Sequence, residues 1–452
     1  MLNNPRRITL VLALIVLGLG AYILFVDIPQ TRQYKKQDTQ ERQLLPFDDR
    51  AIAQIIWTTA SETIRLERDA QWRWTIIEPM RFPADNREVR RILRALTIGK
   101  VKRIIEDGPS TLATYGLDPP YLTLTLTTPT QTLKLALGDR GPFAPSLYVQ
   151  TKVDNQVVLT TLDAMTFAQK TLNNFRLKNL LLFDRERVQE VHIQQADTTM
   201  VMTRAAGVHS LSPHWVLKSP KKGPADKIVV GTLLMELSGL SATGFVDSEE
   251  EKQRILGQPN RTHVGVTVLE GSRTHHVSLY QFQEADKAYA ITSTTGPLYE
   301  ISPSILKPLT QGAFYFRDKR LFGMEIKDIG ILEVTTPEEH YVLTKQNDDW
   351  VLDNHPTAEL EQEIINLFVS RVVDIPAEIS HPDDSTASLQ HGLDPPTATI
   401  RGRNRQGKYM GKLLLGKREK GLVFARGAGH EGLYQVRSNI LSQIPTQTQL
   451  VR

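Results

Sequence analysis

Hydrophobic residues fall along this chain in three kinds of run. The first is unbroken: residues 8–26, "ITLVLALIVLGLGAYILFV", hold 19 positions without a charge. As a helix that run covers about 28 Å, close to the thickness of a bilayer's hydrocarbon core. The expectation is a membrane-spanning helix over 8–26, a cytoplasmic tail over 1–7 and a polar tether over 27–43. A cleaved signal peptide is the alternative, with Gly18 and Gly20 as small cleavage-site residues, but apolar character continues well past them.

The second kind alternates. "IAQIIWTT" (52–59), "ETIRLER" (62–68) and "QWRWTII" (71–77) read as strands, and "VQEVHIQQ", "TTMVMTR" and "HWVLKS" repeat the succession from Val188. The third kind has helical period. Val89, Ile92, Leu93 and Leu96 fall at i, i+3, i+4 and i+7 behind Asp85 and Glu88, which resemble a capping box. Val230, Leu233, Leu234 and Leu237 repeat that stripe, and Ile364, Leu367 and Phe368 supply a third. All three are expected to dock on sheets.

One constant offset links these runs. Trp74 and Trp215 lie 141 residues apart, as do Pro83 and Pro224 at the head of "PADNREVRRILRAL" and "PADKIVVGTLLMEL". "NFRLKNL" (174–180) and "YFRDKRL" (315–321) keep the same spacing, and Trp350 with "TAELEQEIINLFVS" from Thr357 marks a third copy. "YGLDPP" (115–120) returns as "HGLDPP" (391–396), while the middle copy retains only Gly257 and a proline in "LGQP". Self-similarity of this kind predicts three tandem modules, 44–179, 180–320 and 321–452. The fold class is α+β, each module a mostly antiparallel sheet with two helices, the last helices falling on "LDAMTFAQKTLNN" and "SPSILKPLTQGA".

The repeated Gly-Leu-Asp-Pro-Pro reads as a joint. Gly116 and Gly392 can take positive φ, the prolines stop a helix, and Asp118 and Asp394 are driven to extended geometry. An acid pair is disfavoured because Gln258 stands at that place in the middle copy.

Composition then removes several classes of function. With 40% apolar and 23% charged residues the chain is a folded protein. Its net charge of +4 falls to +2 without Arg6 and Arg7, which gives no electrostatic case for nucleic acid. The absence of cysteine excludes disulfides, thiolate metal sites and cysteine nucleophiles. Positive charge flanks 8–26 almost equally, Arg6 and Arg7 against Arg32, Lys35 and Lys36. The arginines abutting the apolar run favour an N-terminus inside, which puts everything after Val26 outside the cytoplasmic membrane.

No residue is assigned a catalytic, cofactor-binding or metal role, and no cofactor is expected. "GRNRQGKY" (402–409) has the glycine and lysine of a phosphate loop but Tyr409 where magnesium needs a hydroxyl, and it lies between two strands. The Ser219/Lys222 and Ser304/Lys307 pairs lack the partner motifs of penicillin-binding enzymes. His275 and His276 are adjacent on a strand, so they face opposite ways. Trp74, Trp215 and Trp350 share one strand position, as core residues would. "SPKKGPADK" (219–227) is a basic loop in one copy, either solvated or touching headgroups or a partner.

The apolar anchor, the modules, the Trp-bearing strand and the "YGLDPP" and "HGLDPP" joints together resemble a bacterial membrane-anchored repeat-domain family of unknown function. Its genes often lie beside ABC-type transporter components of the gliding-motility kind. The resemblance covers nearly the whole chain, though the second module departs at the joint. It implies an extracytoplasmic accessory role and brings no catalytic residue. The expected function is non-catalytic binding on the periplasmic side of a bacterial cytoplasmic membrane, with that membrane and ABC-type transporter subunits or envelope proteins as partners. One rival is an envelope hydrolase or glycan-binding protein assembled in one module from several of His209, His214, Asp383, Asp384 and Lys307. Another is a structural spacer.

Overall fold

The computed structural model describes residues 43–107, 111–151, 155–168, 170–205, 214–282, 287–293, 296–381 and 387–452. The expected spanning helix and nearly all of the tether lie outside these residues, as do His209, Asp383 and Asp384. Among the described residues no helix is long and apolar enough to cross a membrane.

The described residues form two compact units, the first ending at Lys178 and the second beginning at Asn179. The first unit holds β1 (Gln54–Thr58), β2 (Thr63–Arg68), β3 (Trp74–Glu78), β4 (Phe82–Pro83), β5 (Val101–Asp107), β6 (Leu122–Thr127), β7 (Thr132–Arg140), β8 (Leu147–Thr151) and β9 (Gln156–Thr160). They pair antiparallel in the order β4-β3-β2-β1-β6-β7-β8-β9-β5. The second unit carries two further sheets. One, from Val188 to Ile301, repeats this order strand for strand; the other, from Ile331 to Arg437, keeps it without the two-residue edge strand. Mostly antiparallel α+β architecture in three sheet modules is therefore what the chain adopts.

Sequence alternation explains why one face of each sheet is dry. In β6, "LTLTLT", Leu122, Leu124 and Leu126 are buried while the threonines between them face outward. A helix covers the leucine face. α1 (Asn86–Ile98) buries Val89, Ile92, Leu93 and Leu96, and α2 (Lys227–Ser238) buries Val230, Leu233, Leu234 and Leu237. Asp85 caps α1 by accepting from the Arg87 and Glu88 amides, and Asp226 caps α2 in the same way. Glu88 does not complete the expected box. Burial opposes its ionisation, but contacts to Arg91 (2.8 Å) and Lys170 (2.5 Å) outweigh that and hold its carboxyl below the usual range. Asp226→Ala is expected to cost about 1 kcal/mol, and Asp226→Asn much less, by urea unfolding.

Three helical expectations need correction. The third stripe is shifted by one residue: α4 (Gln362–Val373) buries Ile365, Phe368, Val369 and Val372, whereas Ile364 and Leu367 are 41% and 52% exposed. Trp74 and Trp350 are 276 apart, and that same offset carries Val89 to Ile365 and Pro83 to Glu359. The closing helices are also broken. Ala164–Phe167 and Leu172–Phe175 are separate turns because Thr171 and Asn174 cap a new start, and Gly312 at φ 75° divides Leu306–Leu309 from Ala313–Phe316. The second module adds α3 (Glu249–Leu256), so two helices per module is not the rule.

Each module is closed by its own last residues. The Asp85 amide donates to the Phe175 carbonyl (2.7 Å), Asp226 to Phe316 (2.8 Å) and Glu361 to Leu450 (2.9 Å). The arginine after each phenylalanine is buried and reaches back to a residue 96 positions earlier: Arg176 to the Met80 sulfur, Arg317 to the Lys221 carbonyl. The shared Phe-Arg landmark is thus a lock on the loop before the helix. That loop in the second copy is the basic "SPKKGPADK".

The Gly-Leu-Asp-Pro-Pro joints behave as punctuation. Gly116 and Gly392 sit at φ 65° and 67°, Asp118–Pro119 and Asp394–Pro395 are cis, and Leu117 and Leu393 bridge to Pro120 and Pro396. Each corner rests on a strand glycine, Gly138 or Gly416. In the second module α3 ends at Gly257 with φ −78° and occupies the place of the corner.

Candidate functional site

The three long helices offer the clearest comparison of equivalent positions, because their docked faces match and their outward faces do not. On α1 the outward stripe is Arg87, Arg90, Arg91 and Arg94, all exposed. Displaced by 141, the same positions on α2 are Ile228, Gly231, Thr232 and Met235, with Ile228 71% and Met235 53% exposed. On α4 they are Glu363, Asn366, Leu367 and Ser370. One scaffold therefore shows solvent a cationic, an apolar and a mixed surface.

Beside α1 lies a cleft of about 620 Å³, lined by Arg50, Arg68, Trp72, Trp74, Asn86 and Arg90 among others. Its shape comes from the β2–β3 turn. The Asp69 carboxylate accepts from the Arg73 and Gln71 amides at 2.9 Å and pairs with the Arg73 side chain, and these bonds hold its carboxyl below the ordinary range. The turn places Trp72 at φ 65° with its ring 57% exposed. Arg68 lies between two rings, 4.1 Å from Trp72 and 5.7 Å from Trp74, and donates to the Arg50 carbonyl at 2.7 Å. Burial lowers its affinity for the proton and nearby Asp49 partly restores it, leaving a guanidinium. Guanidinium groups beside an exposed indole suit planar or anionic groups. Arg204 over Trp215 and Lys345 over Trp350 repeat the cation at the same strand register, so that part of the arrangement is scaffold. Trp72 and Arg90 belong to the first module alone: Pro213 and Gly231 hold those places in the second copy, Asp348 and Asn366 in the third.

A second cleft, about 400 Å³, lies between α3 and its sheet and includes Lys252, His276, Ser278 and Tyr280. His276 meets Ser278 at 3.2 Å and Thr267 at 3.0 Å. A ring flanked by hydroxyls on both sides has no carboxylate to orient it as a base, so the geometry is that of a polar strand face. His275 turns the other way, to Glu270 at 3.2 Å.

The residues singled out in the sequence are dispersed. His214 begins a strand beside the sheet edge, whereas Lys307 follows the strand Leu298–Ile301, six places away in hydrogen-bonding order. "GRNRQGKY" is a hairpin turn in which Asn404 accepts from the Gln406 and Lys408 amides. Ser219 donates to the Thr199 carbonyl and Ser304 meets Ser302, neither engaging a lysine amine. Trp74, Trp215 and Trp350 are 4%, 5% and 3% exposed, core residues as expected. Among the described residues no group of three or more His, Asp or Glu is placed to hold a metal ion. The α1 stripe and the Trp72 turn went unnoticed in the sequence. The signal was there: positions that are Ile, Gly, Thr and Met in one copy are all Arg in another.

No curated protein matches the chain. Among solved structures, the DNA polymerase sliding clamp from Pseudomonas aeruginosa with ligand aligns at 10% identity over 89% of this chain and 94% of that one, with a TM-score of 0.16. The DNA polymerase III subunit beta from the same organism aligns at 9% identity over 89% and 95%, with a TM-score of 0.15. Neither bears on fold or function here. A protein family matches twice, over residues 74–259 and 215–372, each match starting at one of the repeated tryptophans. Those matches span more than half of the chain, which therefore belongs to the family described as Domain of unknown function (DUF4340).

Proposed function

We propose that this protein is a membrane-anchored accessory protein that works by binding. Residues 8–26 hold it in a bacterial cytoplasmic membrane, the modules stand on the outer side, and the partner is an ABC-type transport or cell-envelope complex. The observation carrying this reading is divergence on a constant scaffold: equivalent helices dock through equivalent stripes and display unlike outward faces. An exposed apolar stripe such as Ile228 to Met235 is a feature of interaction surfaces. A passive spacer gains nothing from such differences. The anchoring rests on the uncharged run and the transporter setting on the family resemblance at the "YGLDPP" and "HGLDPP" joints.

Crosslinking in native membranes, followed by mass spectrometry, tests the proposal. Transporter or envelope subunits are expected to be captured, and Ile228→Glu with Met235→Glu is expected to reduce their yield at least about tenfold. Recovery of the protein alone, with the intact chain present in the membrane, would overturn it.

A further inference from the structure

We infer that the first module lies against the anionic headgroups of the membrane that anchors it, through the arginine stripe of α1 and the exposed residues where the tether joins; this rests on the anchored reading above. Three independent features support this inference. The first is charge. Residues 44–178 hold 18 Lys and Arg against 14 Asp and Glu, whereas 179–452 hold 30 against 33. Four of the surplus cations' positions are the α1 stripe itself, and Arg87, Arg90 and Arg94 carry no ion pair among the described residues.

The second feature is where the chain arrives. Gln43 bridges to Lys100, and the Leu44 amide donates to the Gly99 carbonyl at 3.2 Å, so the segment preceding residue 43 meets the module at the C-terminal end of α1. The 17 residues from Asp27 to Gln43 reach at most about 60 Å when fully extended. A surface joined at this point is kept at high effective concentration near the anchor.

The third is exposed apolar bulk among the cations. Ile98, 67% exposed, continues the stripe at i+11 from Arg87. Beyond Lys100, the edge strand β5 exposes Lys102 and Arg103, and the Lys102 ammonium donates to the Pro145 carbonyl at 3.0 Å. That bond ties to β5 the loop on which Phe143 stands 76% exposed. Basic residues with interleaved large apolar side chains match an anionic interface: guanidinium groups pair with phosphates while Ile98 and Phe143 enter the acyl boundary. An acidic protein surface would use the charges but not apolar side chains scattered among them. The same helical positions in the second module, Ile228, Gly231, Thr232 and Met235, have no cation to offer.

The chain's lack of cysteine makes the test direct. Full-length protein carrying Thr97→Cys on α1, or Thr232→Cys on α2 as control, is labelled with a fluorophore and placed in lipid nanodiscs bearing a headgroup quencher. The discs are phosphatidylcholine alone or with about 30 mol% phosphatidylglycerol. Quenching at Thr97→Cys is expected to rise several-fold in the anionic discs, to reverse at about 0.5 M salt, and to leave Thr232→Cys unchanged. Combined Arg87→Glu, Arg90→Glu and Arg94→Glu is expected to lower the docked-to-undocked ratio about 100-fold, while Lys at all three positions retains it. Equal quenching in both discs, or none lost in the Glu variant, would overturn the inference. So would loss of quenching on adding inorganic phosphate at constant ionic strength, which would assign the stripe to a free anion. Failure of the chain to co-elute with neutral discs would sink the anchored reading itself, whatever the label reports.

Discussion

Trp57→Ala is expected to destabilise the first unit by about 3–5 kcal/mol, while the second unit unfolds as before. Trp57 is fully buried on β1, its ring 5.1 Å from Phe175 edge-on and 6.4 Å from Phe167 in a stack. The corresponding positions in the other sheets are Ile193 and Val334, so the first core is built around a larger group. Both rings it touches come from the residues that close the module. Removing the indole leaves a cavity that two short helical turns, each capped at its own end, cannot collapse to fill. Because two units unfold, a single transition does not describe the chain, and hydrogen exchange read peptide by peptide is the measurement to use. Protection is expected to fall over residues 54–178 and to persist over 188–437. Equal loss in both would show the units to be one cooperative body, and no loss would show that the aromatic cluster is not the core of the first.

Gly138→Ala and Gly416→Ala form the second expectation of comparable size. A Cβ on Gly138 would stand 2.2 Å from the Tyr115 carbonyl oxygen, and one on Gly416 2.3 Å from that of His391. Both obstacles are backbone atoms of the Gly-Leu-Asp-Pro-Pro corner, so no side-chain rotation relieves the clash and the corner must lift from its strand. A cost of about 2–4 kcal/mol is expected for each, by denaturant unfolding. The second module supplies the internal control, since it has α3 in place of the corner and Tyr280 at the strand position. Two alanine variants of native stability would show that the corner is loosely seated and that its recurrence needs another cause.

Strand alternation, the Val89 and Val230 stripes and the 141-residue offset were enough to specify three sheets of one kind. They use local rules, and each module obeys them separately. The third stripe was misplaced because Ile364 and Leu367 are apolar yet face solvent, which periodicity alone cannot see. Short closing turns look like single helices in the sequence because Thr171, Asn174 and Gly312 act through side-chain caps and one dihedral, not through hydrophobic spacing. The Phe-Arg landmark was visible without its meaning, since Arg176 and Arg317 find their partners across 96 residues. Of the candidate surface, the arginines were plain in the sequence. That they share one face, beside the place where residue 43 joins, needed the helix register and the Gln43–Lys100 bridge.

The closing hydrogen bonds set an order of assembly. Asp85 waits for Phe175, Asp226 for Phe316 and Glu361 for Leu450. A ribosome delivers those partners in that sequence, so the first sheet can be sealed while later ones are still being made. Released chains ending just short of residue 175 should remain open to protease, and those extended a few residues past it should resist.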